Sequence, residues 1–327
     1  MRLGLVIEMK RDFAGEAGVY PDANSELLSE DEADELLSGL RDAGHEVLEV
    51  GDCRQLVNHI AKWRRQCDLV FNRSVGYVGI ERKLFAPAVL EAAEIPYIGS
   101  TPYVQMLTRQ KFHAKLILEA AGLPTPASAL ITADGHSQLS VLSYPAIVKP
   151  VAESSSIGIE EAESVVESPE AALARGRLLI ERYHQPAIVE TFVPGLEVEV
   201  PLVGSPSPSV LGAVAITKNG ALVDGNAFLA SDGVYLDDYG FAALPPGVDA
   251  QRVGAIAVAA ARALGIRDYG RIDMRIRPNG EPAIIEVSTQ PHLQRHSSFA
   301  EAARARGIPY SQMLQLVVQA ATTRLKK

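Results

Sequence analysis

The segment from Arg271 to Val287 constrains the fold more than any other stretch of the chain. Arg271-Ile272-Asp273-Met274-Arg275-Ile276-Arg277 alternates polar and apolar residues, the pattern of a half-buried strand. Asn279-Gly280 follows, and both residues tolerate the positive φ that a two-residue hairpin turn needs. With those two as the loop, Pro278 faces Glu281, Asp273 lies opposite Glu286, and Arg271 lies opposite Ser288. Carboxylates directly opposite on one face repel each other, so the register calls for a cation between them. Oxygen ligands without His or Cys beside them suit Mg²⁺ or Mn²⁺, and Mg²⁺ usually needs only one or two carboxylates plus substrate phosphates. The other reading is a surface strand whose acids pair with Arg271 and Arg275. The hairpin alone leaves both open.

The rest of the chain reads as α/β. Strand-like Leu3–Ile7, Val47–Val50 and Leu69–Phe71 alternate with helical stretches near Ser29–Ala43, Arg54–Arg64 and Leu84–Ala93, the βαβ rhythm of a parallel sheet. Ser29 caps the first helix with Glu32 three residues on, Ala33, Leu36, Leu37, Leu40 and Ala43 form its apolar stripe, and Gly44 ends it. A helix around Lys111–Ala121 stops at Gly122, with Pro124 and Pro126 beyond it. Two β runs, Ala146–Lys149 and Ala187–Glu190, then flank a helix near Pro169–Tyr183, and helices near Ala250–Leu264 and from Tyr310 bracket the hairpin. At ~150 residues per domain, 327 residues amount to about two domains or three smaller lobes. We expect lobes at 1–101, 102–191 and 192–327, with the active site between the second and third.

Composition narrows the function. Acidic residues exceed basic ones, 40 to 31, so the net charge is −9 and no domain-wide basic field attracts nucleic acid or anionic lipid. Cys53 and Cys67, without CxxC spacing, read as two buried thiols in a reducing cytosol. The apolar start, broken by Glu8, Lys10 and Arg11, is too short for a signal peptide, and Val253–Ile266, broken by Arg262, is too short for a membrane span. The expectation is a cytoplasmic protein without membrane or nucleic-acid partners. Gly204-Ser205-Pro206-Ser207-Pro208-Ser209 reads as a surface loop.

A second chemical feature precedes the hairpin. The strand Ala146-Ile147-Val148-Lys149 ends in a lysine, and Pro150 and then Glu153-Ser154-Ser155-Ser156-Ile157-Gly158 follow. Such small residues let backbone N–H groups and hydroxyls approach phosphate oxygens, and a lysine adds a point charge; an exposed serine-rich turn is the blander alternative. The chain has no GxxxxGKS/T loop and no GxGxxG fingerprint, which disfavours a P-loop NTPase or a Rossmann dehydrogenase. His292 and His296 have i,i+4 spacing but lack the HExxH pattern, so a zinc pair is not expected.

Taken in order, these pieces resemble the ATP-grasp superfamily and, within it, the D-alanine–D-alanine ligase family. The resemblance spans nearly the whole chain. It is carried by Phe71-Asn72 through Gly76, Ile95-Pro96-Tyr97-Ile98-Gly99-Ser100, Ala121-Gly122-Leu123-Pro124-Thr125-Pro126, the Lys149 strand and its loop, Tyr269-Gly270-Arg271-Ile272-Asp273, Glu286-Val287-Ser288-Thr289-Gln290-Pro291 and His296-Ser297-Ser298. It implies an ATP-grasp architecture of N-terminal βαβ domain, small central ATP-binding lobe and C-terminal α+β lobe, allowing a homodimer. It also implies roles. Lys111 and Lys149 would bind ATP phosphates beneath Ser154, Ser155 and Ser156. Glu190, Phe192 and Val193 would line the adenine hinge, and Glu197 would hold the ribose. Asp273, Glu286 and Ser288 would face the metal. Arg271, Ser155 and His292 occupy catalytic positions, and Ser297 and Ser298 would meet the carboxylate of an amino-acid substrate.

The implied activity is an ATP-dependent carboxylate–amine ligase that makes an amide through an acyl phosphate, on amino-acid-type substrates in a specialised biosynthetic pathway. Alternatives are D-alanine–D-alanine ligase itself, an intramolecular cyclase and a nucleotide-binding pseudoenzyme. The chain departs from the family at several points. Ser288 replaces an asparagine, His292 a glycine, Phe228 a phosphate-contacting lysine in the Leu222–Tyr235 loop, and Val75 a histidine, while Glu8-Met9-Lys10-Arg11 replaces a glycine-rich loop. The last two line the first amino-acid pocket, so D-alanine is not the expected first substrate.

Overall fold

The computed structural model describes all residues except 14–21, 23, 78, 207, 232, 234–237 and 327; Val234 and Tyr235, at the end of the Leu222–Tyr235 loop, thus lie outside the described residues. Strands β1 (Arg2–Val6), β2 (Glu46–Gly51), β3 (Leu69–Asn72) and β4 (Tyr97–Ile98) form a parallel sheet in the order β2-β1-β3-β4. Helix α1 (Glu30–Asp42) begins with the capping box expected of Ser29 and Glu32, and buries Ala33, Leu36, Leu37 and Leu40. The helix expected over Arg54–Arg64 is two, α2 (Cys53–Asn58) and α3 (Ile60–Gln66), which meet at His59. Helix α4 (Phe85–Ala92) returns the chain to β4.

Helices α5 (Pro102–Arg109) and α6 (Lys111–Ala120) come next. The second sheet is antiparallel, β6-β5-β9-β7-β8, from β5 (Ser128–Thr132), β6 (Gly135–His136), β7 (Ala146–Pro150), β8 (Val165–Val166) and β9 (Ala187–Thr191). Helix α7 (Pro169–Tyr183) covers it, burying Ala172, Leu179 and Tyr183 against Val148 and Val189.

The third sheet holds β10 (Leu196–Gly204), β11 (Ser209–Val210), β12 (Val214–Lys218), β13 (Ala221–Leu222), β14 (Tyr239–Ala243), β15 (Asp268–Ile276) and β16 (Pro282–Ser288). Its spine is β12-β10-β15-β16. Helix α8 (Ala250–Leu264) packs on one face, and Val104 of α5 with Ala114 and Leu118 of α6 joins the same core. Helices α9 (Ser298–Ala305) and α10 (Tyr310–Leu325) fill the space toward the first sheet, where Phe299, Met313 and Val317 share one cluster with Leu3, Leu36 and Phe71. Each such large apolar side chain contributes ~1.5–3 kcal/mol on burial, so the first and third lobes stabilise each other. Among the described residues no helix is long and apolar enough to cross a membrane.

The hairpin turns differently from the sequence expectation. Gly280 N bonds Arg277 O and Arg277 N bonds Glu281 O, which makes a three-residue loop of Pro278-Asn279-Gly280 with Gly280 at φ +83°. That loop alone would move every partner by one residue. A bulge between Asp273 and Met274, which skips Ile285, moves them back, so Asp273 faces Glu286 and Arg271 faces Ser288.

Candidate active site

Three adjacent strands set a grid of charged side chains on one face. Glu199 of β10, Asp273 of β15 and Glu286 of β16 form one row; Glu197 opposite Arg275 lies two residues along one way, and Arg271 opposite Ser288 two residues the other. The repulsion expected of this row is offset by nearby cations. Arg271 holds Asp273 with two bonds of 2.7 and 2.8 Å and lies 3.1 Å from Glu199, while Lys111 reaches Glu286 at 3.2 Å. Arg275 pairs with Glu197 at 3.1 Å rather than with the hairpin acids. Burial pushes the Glu199 carboxyl up to about 8 against the pull of Arg271. Burial also opposes ionisation of Glu286, but Lys111, Lys149 and Arg271 outweigh it and lower its pKa.

Among the described residues no three His, Cys, Asp or Glu side chains form a ready cage for a metal ion. The donor set nevertheless suits a hard cation. Asp273 and Glu286 offer oxygen alone, and Glu199 Oε2, 3.1 Å from Arg271, is buried in the same row without a hydrogen bond of good geometry. Two carboxylates completed by phosphate oxygens and water are what Mg²⁺ usually takes.

Lys149, at the end of β7, and Lys115, one turn after Lys111 on α6, grip Glu190 from two sides at 3.2 and 3.4 Å. Burial works against the charge on Lys149, yet Glu190 and Glu286 outweigh it and raise its pKa, whereas burial lowers Lys115 to about 8. Beside them opens a slot with apolar walls of Ile147, Phe192, Val193, Phe228 and Leu229, and with Lys149, Glu190 and Glu286 on its polar side. Phe228 packs edge-on to Phe192 with ring centroids 6.0 Å apart, so this residue extends an aromatic wall. The slot adjoins a larger open cleft, and Ser156, Glu197, Leu229, Ile285 and Glu286 line both.

The serine loop closes over this junction. Ile157 N bonds Ser154 O, with Ser155 and Ser156 at φ +53° and +54°, a turn whose positive φ values strain residues other than glycine. Ser156 Oγ donates to Leu229 O at 3.0 Å and so ties the loop to the third lobe. Ser154, Ser155, Arg271, Asp273, Glu286, Ser288 and His292 all line the cleft. Burial, with Arg73 and Arg271 nearby, lowers His292 to about 4 and keeps it neutral.

The first lobe contributes as well: Glu8, Leu28, Arg73, Val75 and Lys83 line the cleft, so the site lies among all three lobes rather than between two. Glu8 takes the space beside Val75, accepting from Ser74 Oγ, Val75 N and Cys53 N. Ser297 and Ser298 are not among the residues that line the cleft. Ser297 caps α9, its Oγ donating to Gln294 O and accepting from Ala300 N. Sequence reasoning missed Glu199, Lys115 and Arg73. The alternation Glu197-Val198-Glu199 was the available signal for the first, since it sets both acids on one strand face.

A cleft of arginines and carboxylates, a slot with Lys149 among aromatic and aliphatic walls beside it, and a strained small-residue loop along both are the features of a nucleotide-dependent enzyme of the ATP-grasp class. Residues 117–319 match the family model described as D-ala D-ala ligase C-terminus. The D-alanine–D-alanine ligase of Marinobacter nauticus is 34% identical over 235 residues, 71% of this chain and 69% of that protein. An uncharacterised protein, y4sG, of Sinorhizobium fredii is 29% identical over 307 residues, 89% of this chain and 88% of that one. Among solved structures, the D-alanine–D-alanine ligase of Bacillus anthracis complexed with ATP superposes with a TM-score of 0.75 at 19% identity, covering 100% of this chain and 99% of that one. VanG D-Ala:D-Ser ligase from Enterococcus faecalis gives 0.72 at 20% identity, covering 98% and 99%. The chain belongs to the D-alanine–D-alanine ligase family and is an ATP-grasp carbon–nitrogen ligase.

Proposed function

We propose that the chain is an ATP- and Mg²⁺-dependent ligase that joins a carboxylate to an amine through an acyl phosphate, on amino-acid-type substrates other than a pair of D-alanines, in a specialised biosynthetic pathway. The observation that carries this is the meeting of slot and cleft at Glu286, with Lys111 and the Lys149–Glu190 pair beside it. The nucleotide base fits the apolar slot between Phe192, Val193 and Phe228. Its phosphates then reach Lys111, Lys149 and the turn at Ser154–Ser156. Asp273 and Glu286 would hold Mg²⁺, which there offsets charge on the phosphoryl oxygens. The substrate carboxylate attacks the terminal phosphorus, ADP leaves, and the amine displaces phosphate from the acyl phosphate. Arg271, fixed by Asp273 and Glu199, stands where negative charge grows on the tetrahedral oxygen, the arrangement that lowers such barriers.

Val75 and Glu8 shape the first pocket without the family's histidine, which argues against D-alanine there. Ser297 can meet an incoming carboxylate only by giving up its bond to Gln294 O. Calorimetric titration with ATP and Mg²⁺ should show binding that weakens at least about 10-fold in Lys149→Ala, as expected for a lost phosphate contact. Absence of binding, or undiminished binding in the variant, would overturn the reading.

A further inference from the structure

We infer that Arg73 seats a second anionic group on the acid substrate, so that the carboxylate donor is an amino acid with an acidic side chain. The inference rests on the ligase reading and assigns a subsite within the same cleft. Arg73 directly follows β3, at the carboxyl end of a parallel sheet, where ligands of α/β folds bind. It lines the cleft and is only 6% exposed. Its Nη1 donates to Pro291 O at 2.8 Å and to the Tyr269 hydroxyl at 3.3 Å, and its buried Nε has no partner.

Charge matching separates Arg73 from the other cations of the cleft. Arg271 has Asp273 at 2.7 Å, and Lys83 has Glu26 at 2.8 Å. Among the described residues no carboxylate lies within ion-pair distance of Arg73. Glu8 is taken up by Ser74, Val75 and Cys53, and Glu32 caps α1 by accepting from Ser29 N. His292 nearby is neutral and offsets nothing. A buried guanidinium without an anion is costly. Tying Pro291 to β3 needs one N–H, which a neutral side chain could supply, whereas a planar fork with a free donor suits a carboxylate or phosphate. The unmatched charge therefore points to an anion brought by the ligand.

The test titrates wild type and Arg73→Gln with acidic amino acids and their uncharged counterparts. Glutamate is set against glutamine, aspartate against asparagine and O-phosphoserine against serine, in both stereochemical series, with and without AMPPNP and Mg²⁺. Gln keeps a donor for Pro291 O while removing the charge. At least one acidic probe should bind wild type about 10-fold or more tightly than its counterpart, and Arg73→Gln should erase that margin. Which acid wins distinguishes a carboxylate from a phosphate. Equal affinity within every pair in wild type, a measurement that needs no variant, overturns the inference, as does a margin that survives in folded Arg73→Gln. Failure of AMPPNP to bind would count against the ligase reading alone, because the titrations without nucleotide still report on Arg73.

Discussion

Glu199 holds its proton to about 8, mainly because it is buried, with Asp273 adding to the upward push and Arg271 opposing it. Unfolded, the same carboxyl ionises near 4.5. Its contribution to stability is therefore complete below 4.5 and is lost as pH rises through 8, because the folded state binds the proton that the unfolded state releases. In Mg²⁺-free buffer, Glu199→Gln should flatten the decline of the thermal midpoint over that window; an unchanged slope would show that the group does not titrate this way. His292 has the opposite sign: lowered from 6.5 to about 4 by burial first, it costs stability as pH falls through that range. Ser288 faces Arg271 but offers a short neutral hydroxyl. Ser288→Ala should lower kcat about 10-fold, the scale of a supporting contact, and Glu286→Ala by more than about 100-fold. Equal losses would make the hydroxyl a primary participant. Asp273 and Glu286 were legible in the sequence because both sit on one hairpin. Glu199 was not, since its place depends on β10 pairing with a strand some seventy residues later, and Arg73 was hidden because the hydroxyl and carbonyl it bonds lie on distant segments.

At the scale of elements, local signals held where the chain supplies its own partner. The Ser29–Glu32 box and the glycine stop at Gly44 need only neighbours a few residues away. The hairpin shows the limit. Its register at Asp273 agrees with the sequence expectation because a three-residue turn and a bulge displace the strand in opposite senses, and neither is written in the Asn-Gly signal. The serine loop carries a testable strain. Ser155 at φ +53° should be relieved by Ser155→Gly, raising stability by about 0.5–1 kcal/mol if strain outweighs the added freedom of the unfolded chain. The same variant should lose turnover, because a looser loop holds phosphate oxygens less firmly. An unchanged kcat would show that the left-handed turn serves no phosphate-covering role, and a lower thermal midpoint would show that the turn stores no net strain.

For the whole molecule, the order of three lobes could be read from the alternation of elements, but their seams could not. The first and third lobes share an apolar core through α9 and α10, and the second reaches the third through Val104, Ala114 and Leu118 but meets the first through charge. Glu153, just ahead of the serine loop, accepts from Arg82 at 2.7 Å, Arg109 at 3.1 Å and Gln185 at 2.8 Å, and Glu26 accepts from the same two arginines. Burial opposes ionisation of Glu153, yet the two guanidinium groups outweigh it and lower its pKa. Such a network adds little over a well-packed apolar seam, but removing one member strands the others in a low-dielectric interior. Glu153→Ala would leave Arg82 and Arg109 to share Glu26, at a cost of about 3–5 kcal/mol. Because Lys111 Nζ donates to the Glu153 carbonyl, the backbone that carries the serine loop should shift with it. Urea denaturation should thus show a lower midpoint, and KM for ATP should rise. A loss under about 1 kcal/mol with unchanged KM would mean that solvent fills the gap and that this seam does not position the second lobe over the nucleotide.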